Sequence, residues 1–275
     1  MLRFVVLCTL FVFTAAGVSL AGSVQSVPQV EQGYRQMYNL DFEDAHKTFT
    51  GWEREHPTDP LGFASNAAAY LFAEFDRLKI LHSEFFVEDS VFRRRPKVIA
   101  DPAVRAAFDR ELAKAEQLAN DILARSPQDT DAMFAKILTL GLRSDFEALI
   151  DRHYLDSLKV VKAGRATAEK LLTIEPSYYD AYLAIGVENY LLSLKPAPVR
   201  WMLQMGGAET DREKGIQNLK LTAEKGHYLL PYARLLLAVA ALRSKDRTRA
   251  RDLLSDLARQ FPHNRLYAEE LARLQ

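Results

Sequence analysis

Four prolines in this chain stand at fixed distances behind the same kinds of residue. Twelve positions before Pro57, Pro127, Pro176 and Pro262 lie Ala45, Ala115, Gly164 and Ala250, and eight before lie Phe49, Ala119, Ala168 and Leu254. Five before come Trp52, Ile122, Leu171 and Leu257. Small, apolar and apolar residues at offsets of about one helical turn mark one face of an amphipathic helix. Proline ends such a helix, because it lacks an N–H and biases the preceding residue away from helical geometry. One such helix would say little. Four in one register imply stacked helical hairpins, each covering its neighbour's apolar face.

The first copy, Tyr38 to Pro60, shows the unit. A short turn at Asn39–Asp41 precedes a helix with Phe42, Ala45, Phe49 and Trp52 on one side, and Asp41 is the expected N-cap. Asp59-Pro60 and Asp101-Pro102 each pair a capping acid with proline at the first helical position. The second hairpin is therefore predicted from Asp59, with its first helix running to about Leu81, and the third spans Asp131 to about Glu175. The fourth begins near Asp180, where Gly186 suits close helix contact. Thr210-Asp211-Arg212-Glu213 reads as a capping box opening its second helix, and Gly226 as a left-handed C-cap. The fifth covers Leu230 to Phe261 with Asp246 as N-cap, and residues from Asn264 form a closing amphipathic helix. The expected fold is all-α: an α-solenoid of about five hairpins over residues 30–275 with a C-terminal capping helix.

The N-terminus has a different composition. Arg3, an apolar run from Phe4 to Gly17 and Ser19-Leu20-Ala21 have the layout of a cleaved export signal, residues 1–21. Residues 22–29 read as a linker. Cys8, the only cysteine, falls within the signal, so the exported chain would carry no disulfide or thiolate metal site. The predicted location is periplasmic or cell-envelope, or secreted. Lys+Arg and Asp+Glu both number 36, which gives no overall charge to favour nucleic acid or anionic lipid.

The repeat register resembles the tetratricopeptide repeat, with Gly33 and Tyr34 near that pattern's glycine and aromatic positions. The stretches YYDAYLAIGVENYLL, APVRWMLQMGG and DREKGIQNLKLTAEKGHYLLPYARLLLA resemble an exported bacterial tetratricopeptide family of unestablished activity. They resemble more distantly the repeat region of the eukaryotic inclusion-body-clearance family, over the C-terminal half. Gly206-Gly207, Asp211-Arg212, Gly215, Leu219 and Pro231 carry the shared pattern. The resemblance implies a binding scaffold without catalysis. The chain departs from the repeat ideal in long breaks within hairpins two to four. It also lacks the basic and Asn pattern with which chaperone-binding members clamp a C-terminal carboxylate.

No metalloprotease, nucleophile-elbow or phosphate-loop motif is present, and the six histidines lack metal-ligand spacing. Neither an enzyme nor a cofactor is expected. Asp151-Arg152-His153 with Asp156 is the nearest approach to an acid/base cluster, and it reads as an exposed polar turn between helices. His56 and His263, beside helix-ending prolines, suit hydrogen bonds to terminal carbonyls. Candidate partner-binding residues are Arg93, Arg94 and Arg95 in the first break, and Tyr178 and Tyr179 after Pro176. To these are added Glu188 and Asn189 in an apolar helix, and Trp201 and Met202 between prolines and glycines. Tyr182 and Tyr190 are expected in the core. For Glu188-Asn189 an interhelix hydrogen bond competes with a groove contact; for Trp201 and Met202, packing over their own hairpin competes with a binding surface.

The breaks at about 82–100, 144–156 and 194–209 all fall between the two helices of a hairpin, so they should gather along one edge. The sequence thus predicts an exported, non-enzymatic scaffold that binds a protein or peptide, not nucleic acid, through its concave groove and that edge. A peripheral envelope component touching lipid through residues 198–205 is the alternative.

Overall fold

The computed structural model describes residues 26–81, 96–195 and 197–274, and these are helical with no strand among them. The predicted signal, residues 22–25 of the linker and Arg93–Arg95 lie outside the described residues. Helices pair in chain order: α1 (Pro28–Tyr38) with α2 (Phe42–Glu55), and α3 (Pro60–Arg77) with α4 (Pro102–Arg125). Next come α5 (Thr130–Phe146) with α6 (Tyr154–Ile174), and α7 (Tyr182–Ser193) with, beyond a short α8 (Ala197–Met205), α9 (Arg212–Lys225). The last pair is α10 (Leu230–Arg243) with α11 (Arg247–Gln260), followed by α12 (Arg265–Arg273). The second helix of each pair also packs on the first helix of the next, which is the contact pattern of a helical solenoid.

The proline register is written into the backbone. After α2, α4, α6 and α11 the capping N–H donates to the carbonyl of Trp52, Ile122, Leu171 or Leu257, the residues five before each proline. Each turn then closes through an i+3 bond, from Asp59 to His56, Asp129 to Ser126, Tyr178 to Glu175 and Asn264 to Phe261, at 3.0–3.1 Å. The positions twelve and eight before the prolines are buried in all four helices. At five before, Leu171 and Leu257 are fully buried, while Trp52 and Ile122 are half-buried. Trp52 instead donates from Nε1 to Asp59, 2.7 Å away, and stacks on His56.

A second recurrence was not visible in the sequence. Leu40, Lys79, Arg152 and Lys245, together with Gly207, have φ between 56° and 80° and follow α1, α3, α5, α10 and α8 respectively. At four of these turns the next N–H reaches back five residues: Asp41 to Gln36, Ile80 to Phe75, Ala208 to Leu203 and Asp246 to Ala241. This is the helix-terminating motif that satisfies orphan carbonyls through a left-handed residue. After α5 a π-helical turn, Glu147–Asp151, widens the span by one residue, and His153 reaches Glu147.

Several local expectations are corrected. The Asp41 side chain does not cap α2; its carboxylate takes the Asn39 amide and faces the His263 ring. Asp211, not Thr210, caps α9, accepting from the Glu213 and Lys214 N–H groups. Gly226 is extended, with φ −67°, and glycine is needed there for space. A Cβ would lie 2.8 Å from the Asp180 carboxylate, which accepts the N–H groups of His227 and Leu229 at 2.9 and 2.8 Å. The first helix starts before Val30: Pro28 opens α1, and Val27 donates to the Tyr228 hydroxyl at 2.8 Å. The first helix of the second hairpin ends at Arg77.

The stack curls until its last hairpin meets its first. The Tyr38 hydroxyl donates to the Tyr228 carbonyl at 3.1 Å, and Asn264 and His263 bond to Tyr38 and Asn39. Arg265 reaches Asp76 on α3 at 2.7 Å. Inside this closure, Tyr178, Phe134, Tyr228, Tyr34, Tyr38, Phe72 and Tyr232 form a chain of aromatic contacts with centroids 4.9–6.1 Å apart. The inner faces of the first helices are thus covered by the protein's own aromatic side chains.

Candidate functional site

The edge that carries the inserts is where the solenoid departs from regular packing. Arg152, in the second insert, donates to the Pro96 carbonyl at the end of the first, 2.6 Å away. The third insert rests on α6: Lys162 donates to the Gly206 carbonyl and Arg165 to that of Gly207. Apart from Ile174 and Leu191, the large apolar side chains left exposed among the described residues lie in these inserts, including Ile99, Leu155, Val199 and Met205.

Four of these side chains, Val199, Trp201, Met202 and Met205, are on α8. It has no buried residue, and Trp201 and Met202 are 66% and 63% exposed. Packing of these two side chains over their own hairpin is therefore not what the structure adopts. Lys195 and Arg200 provide positive charge, and no acidic residue occurs from Leu194 to Ala208. Arg200 anchors the start of α8 by donating to the Lys195 carbonyl at 2.9 Å.

Beneath the loop that follows α8 lies a buried polar network. The Glu188 side chain is fully buried on α7, 3.2 Å from Arg165 Nε on α6. That pair sits off the hydrogen-bond axis, so charge holds it more than a directed bond. Burial raises the Glu188 carboxyl, and the Arg165 guanidinium opposes this. Arg165 also lies 3.3 Å from Glu209, which Lys214 approaches at 2.6 Å and holds below the usual carboxylate range. Asn189 donates to Glu209 and accepts the Asp211 N–H. Glu188 and Asn189 thus fix the loop from Gly206 to Asp211 on the hairpin and do not face a groove.

The two tyrosines after Pro176 separate. Tyr178 is 3% exposed, packs on Phe134 and donates to Asp131 at 3.2 Å, so it is core rather than free for a ligand. It stands two residues after the proline, where Asp59, Asp129 and Asn264 cap their helices. Without a capping side chain the chain passes through a 3₁₀ turn, Tyr179–Ala181, and the tyrosine turns inward. Tyr179 is half-buried, with Lys225 over its ring. Tyr182, expected in the core, is also half-buried, whereas Tyr190 is buried as expected.

The polar turn after α5 is not assembled as an acid/base pair. Asp151 receives both its hydrogen bonds from Arg105, at 2.8 and 2.9 Å, while His153 is exposed at the start of α6. His56 stacks on Trp52, and His263 engages Asp41 and not a helix-terminal carbonyl. Among the described residues no group of three His, Cys, Asp or Glu side chains could hold a metal ion, and no helix is long and apolar enough to cross a membrane. No protein-family model matches the chain. No curated protein matches it either.

Proposed function

We propose that this protein is an exported, non-enzymatic scaffold of about five degenerate tetratricopeptide-like hairpins that binds a protein partner along its insert-bearing edge. The observation that carries this reading is α8, an apolar helix held off the core on a braced loop, with Trp201, Met202 and Met205 facing outward. Aromatic and methionine side chains dominate adaptable protein interfaces. The matching partner is an amphipathic helix whose apolar stripe meets these side chains and whose acidic flanks meet Lys195 and Arg200. The inner groove expected from the sequence contributes less to this proposal, because aromatic side chains line it.

A bilayer is the weaker occupant. Recruitment to anionic lipid uses clusters of about four to eight basic residues, and interfacial helices are often about 20–30 residues long. Here α8 has nine residues and two nearby cations. Replacement of Met202 by a photoreactive phenylalanine, followed by crosslinking in the native envelope, tests the choice. The proposal expects a crosslink on an acid-flanked amphipathic helix of the partner, lost when Trp201→Ala and Met205→Ala are added. Flotation of the purified protein with liposomes, and no protein crosslink, would instead select the lipid alternative.

A further inference from the structure

The closure of the stack leaves two adjoining cavities, each partly open to solvent, of about 110 and 70 Å³. Met37, Tyr38, Phe72 and Tyr232 form the wall common to both. The larger lies between α5, α6, α7 and α10, against side chains such as Leu142, Val160 and Val187. Among the described residues, no lysine, arginine or histidine lines either cavity.

Three acids reach these walls, and two of them are neutralised by other groups. Asp180 takes backbone N–H bonds from His227, Tyr228 and Leu229, and Glu270 is paired with Arg273. Asp145 differs. Its carboxyl, on the last turn of α5, meets the Tyr232 hydroxyl, and among the described residues no cation pairs with it. One turn earlier on the same helix, Gly141 stands exposed at the mouth of the larger cavity: a Cβ added there would meet nothing within 4 Å. An apolar chamber with one carboxyl that no cation among the described residues pairs with is complementary to a molecule that is apolar along its body and donates hydrogen bonds at one end.

We propose that this chamber is a binding site for a small amphiphile, with an alkyl or aryl body along Leu142, Val160 and Val187 and an amine or hydroxyl head donating to Asp145. On the scale at which a cavity of about 150 Å³ admits benzene, the two spaces together take roughly six to ten non-hydrogen atoms. An amine is preferred to an alcohol, because a charge-assisted bond to the carboxylate is the stronger one. Above about pH 7, where the Asp145 carboxyl gives up its proton, a carboxylate head is excluded by repulsion.

Calorimetric titration of the full chain at pH 8 with n-octylamine, 1-octanol and octanoate, with a thermal-shift readout, tests this. Octylamine should bind and raise Tm, 1-octanol should bind about tenfold more weakly, and octanoate should not bind. Gly141→Leu places a side chain in the chamber and should abolish binding while keeping or raising Tm, since it removes a helical glycine. Asp145→Asn should bring amine and alcohol to within about threefold of one another. A Trp201→Ala/Met202→Ala variant should bind as the parent does, which separates this site from the α8 patch. Absent octylamine binding, equal uptake of octanoate, undiminished binding in Gly141→Leu, or loss in the α8 variant would each overturn the proposal. Because the chamber and α8 are tested by different variants, either can fail without the other.

Discussion

The side-chain amide of Asn264 donates to the main-chain carbonyl of Tyr38, 2.8 Å away and 226 residues earlier in the chain. The same side chain accepts the Leu266 N–H, capping α12. One residue therefore starts the last helix and ties it to the end of the first. Both bonds are buried, so their loss leaves a donor and an acceptor without water. Asn264→Ala is expected to destabilise the protein by about 2–3 kcal/mol, a cap plus one buried bond. Urea denaturation of the variant measures this, and a change under about 0.5 kcal/mol would mean that the seam contributes little.

The helical register was legible because it is local. Offsets from four prolines identify residues on one face, and each small position, such as Ala45 or Gly164, is buried. The closure was not legible, because Asn264 and Tyr38 share no sequence pattern and the acceptor on Tyr38 is a main-chain carbonyl. Tyr178 was misplaced for a similar reason. A tyrosine at a capping position leaves open whether the ring turns out or in, and only Phe134 and Asp131, from another hairpin, decide it. Trp201 and Met202 were located by composition, but their exposure depends on Lys162, Arg165 and Arg200 bracing the segment from beneath.

The left-handed turn residues offer a way to stabilise the stack. Lys245 has φ 63° between α10 and α11, a region where a Cβ is strained and glycine is not. Lys245→Gly should raise stability by about 0.5–1 kcal/mol, the relief of strain less the entropy gained by the unfolded chain. Gly207→Ala, at φ 80°, should cost a similar amount. Equilibrium unfolding of the two variants should move the midpoint in opposite directions. Movement in the same direction would contradict the strain argument.

Arg165 and Glu188 form an ion pair in which the acid is fully buried and the arginine mostly so. Removing one partner strands a charge, and a change such as Arg165→Met should cost about 3–5 kcal/mol. In the double variant Arg165→Met/Glu188→Met no charge of this pair is left buried, and most of that loss should return. Arg165 also braces Glu209 and the Gly207 carbonyl, so the double variant should retain stability yet loosen the loop beneath α8. Hydrogen exchange at Gly206–Asp211 would detect this. Additive losses in the double variant would show that the loop contacts, and not the buried charge, set the energetics.

Burial raises the Asp145 carboxyl from the usual 3.8 to about 7, and the Tyr232 hydroxyl only partly offsets it. The direction of the pH effect follows. Below about pH 4 the group is protonated whether the chain is folded or not, and it imposes no penalty. Between about pH 4 and 7 the unfolded chain gives up the proton while the folded chain keeps it, so stability falls as pH rises, and it levels off above about pH 7. Glu53, raised to about 7 by burial and by Glu111, slopes the same way. Asp41 and Glu209, whose carboxyls are held low, slope the opposite way at lower pH. The Asp145 contribution is therefore isolated by difference. Asp145→Asn keeps an oxygen for Tyr232 but cannot ionise, so its stability relative to the parent should rise by about 2–3 kcal/mol between pH 5 and pH 8. Urea titrations of both proteins at the two pH values give that difference directly. A difference that does not change with pH would mean that Asp145 is ionised at little cost in the folded protein, and that the chamber around it is wet.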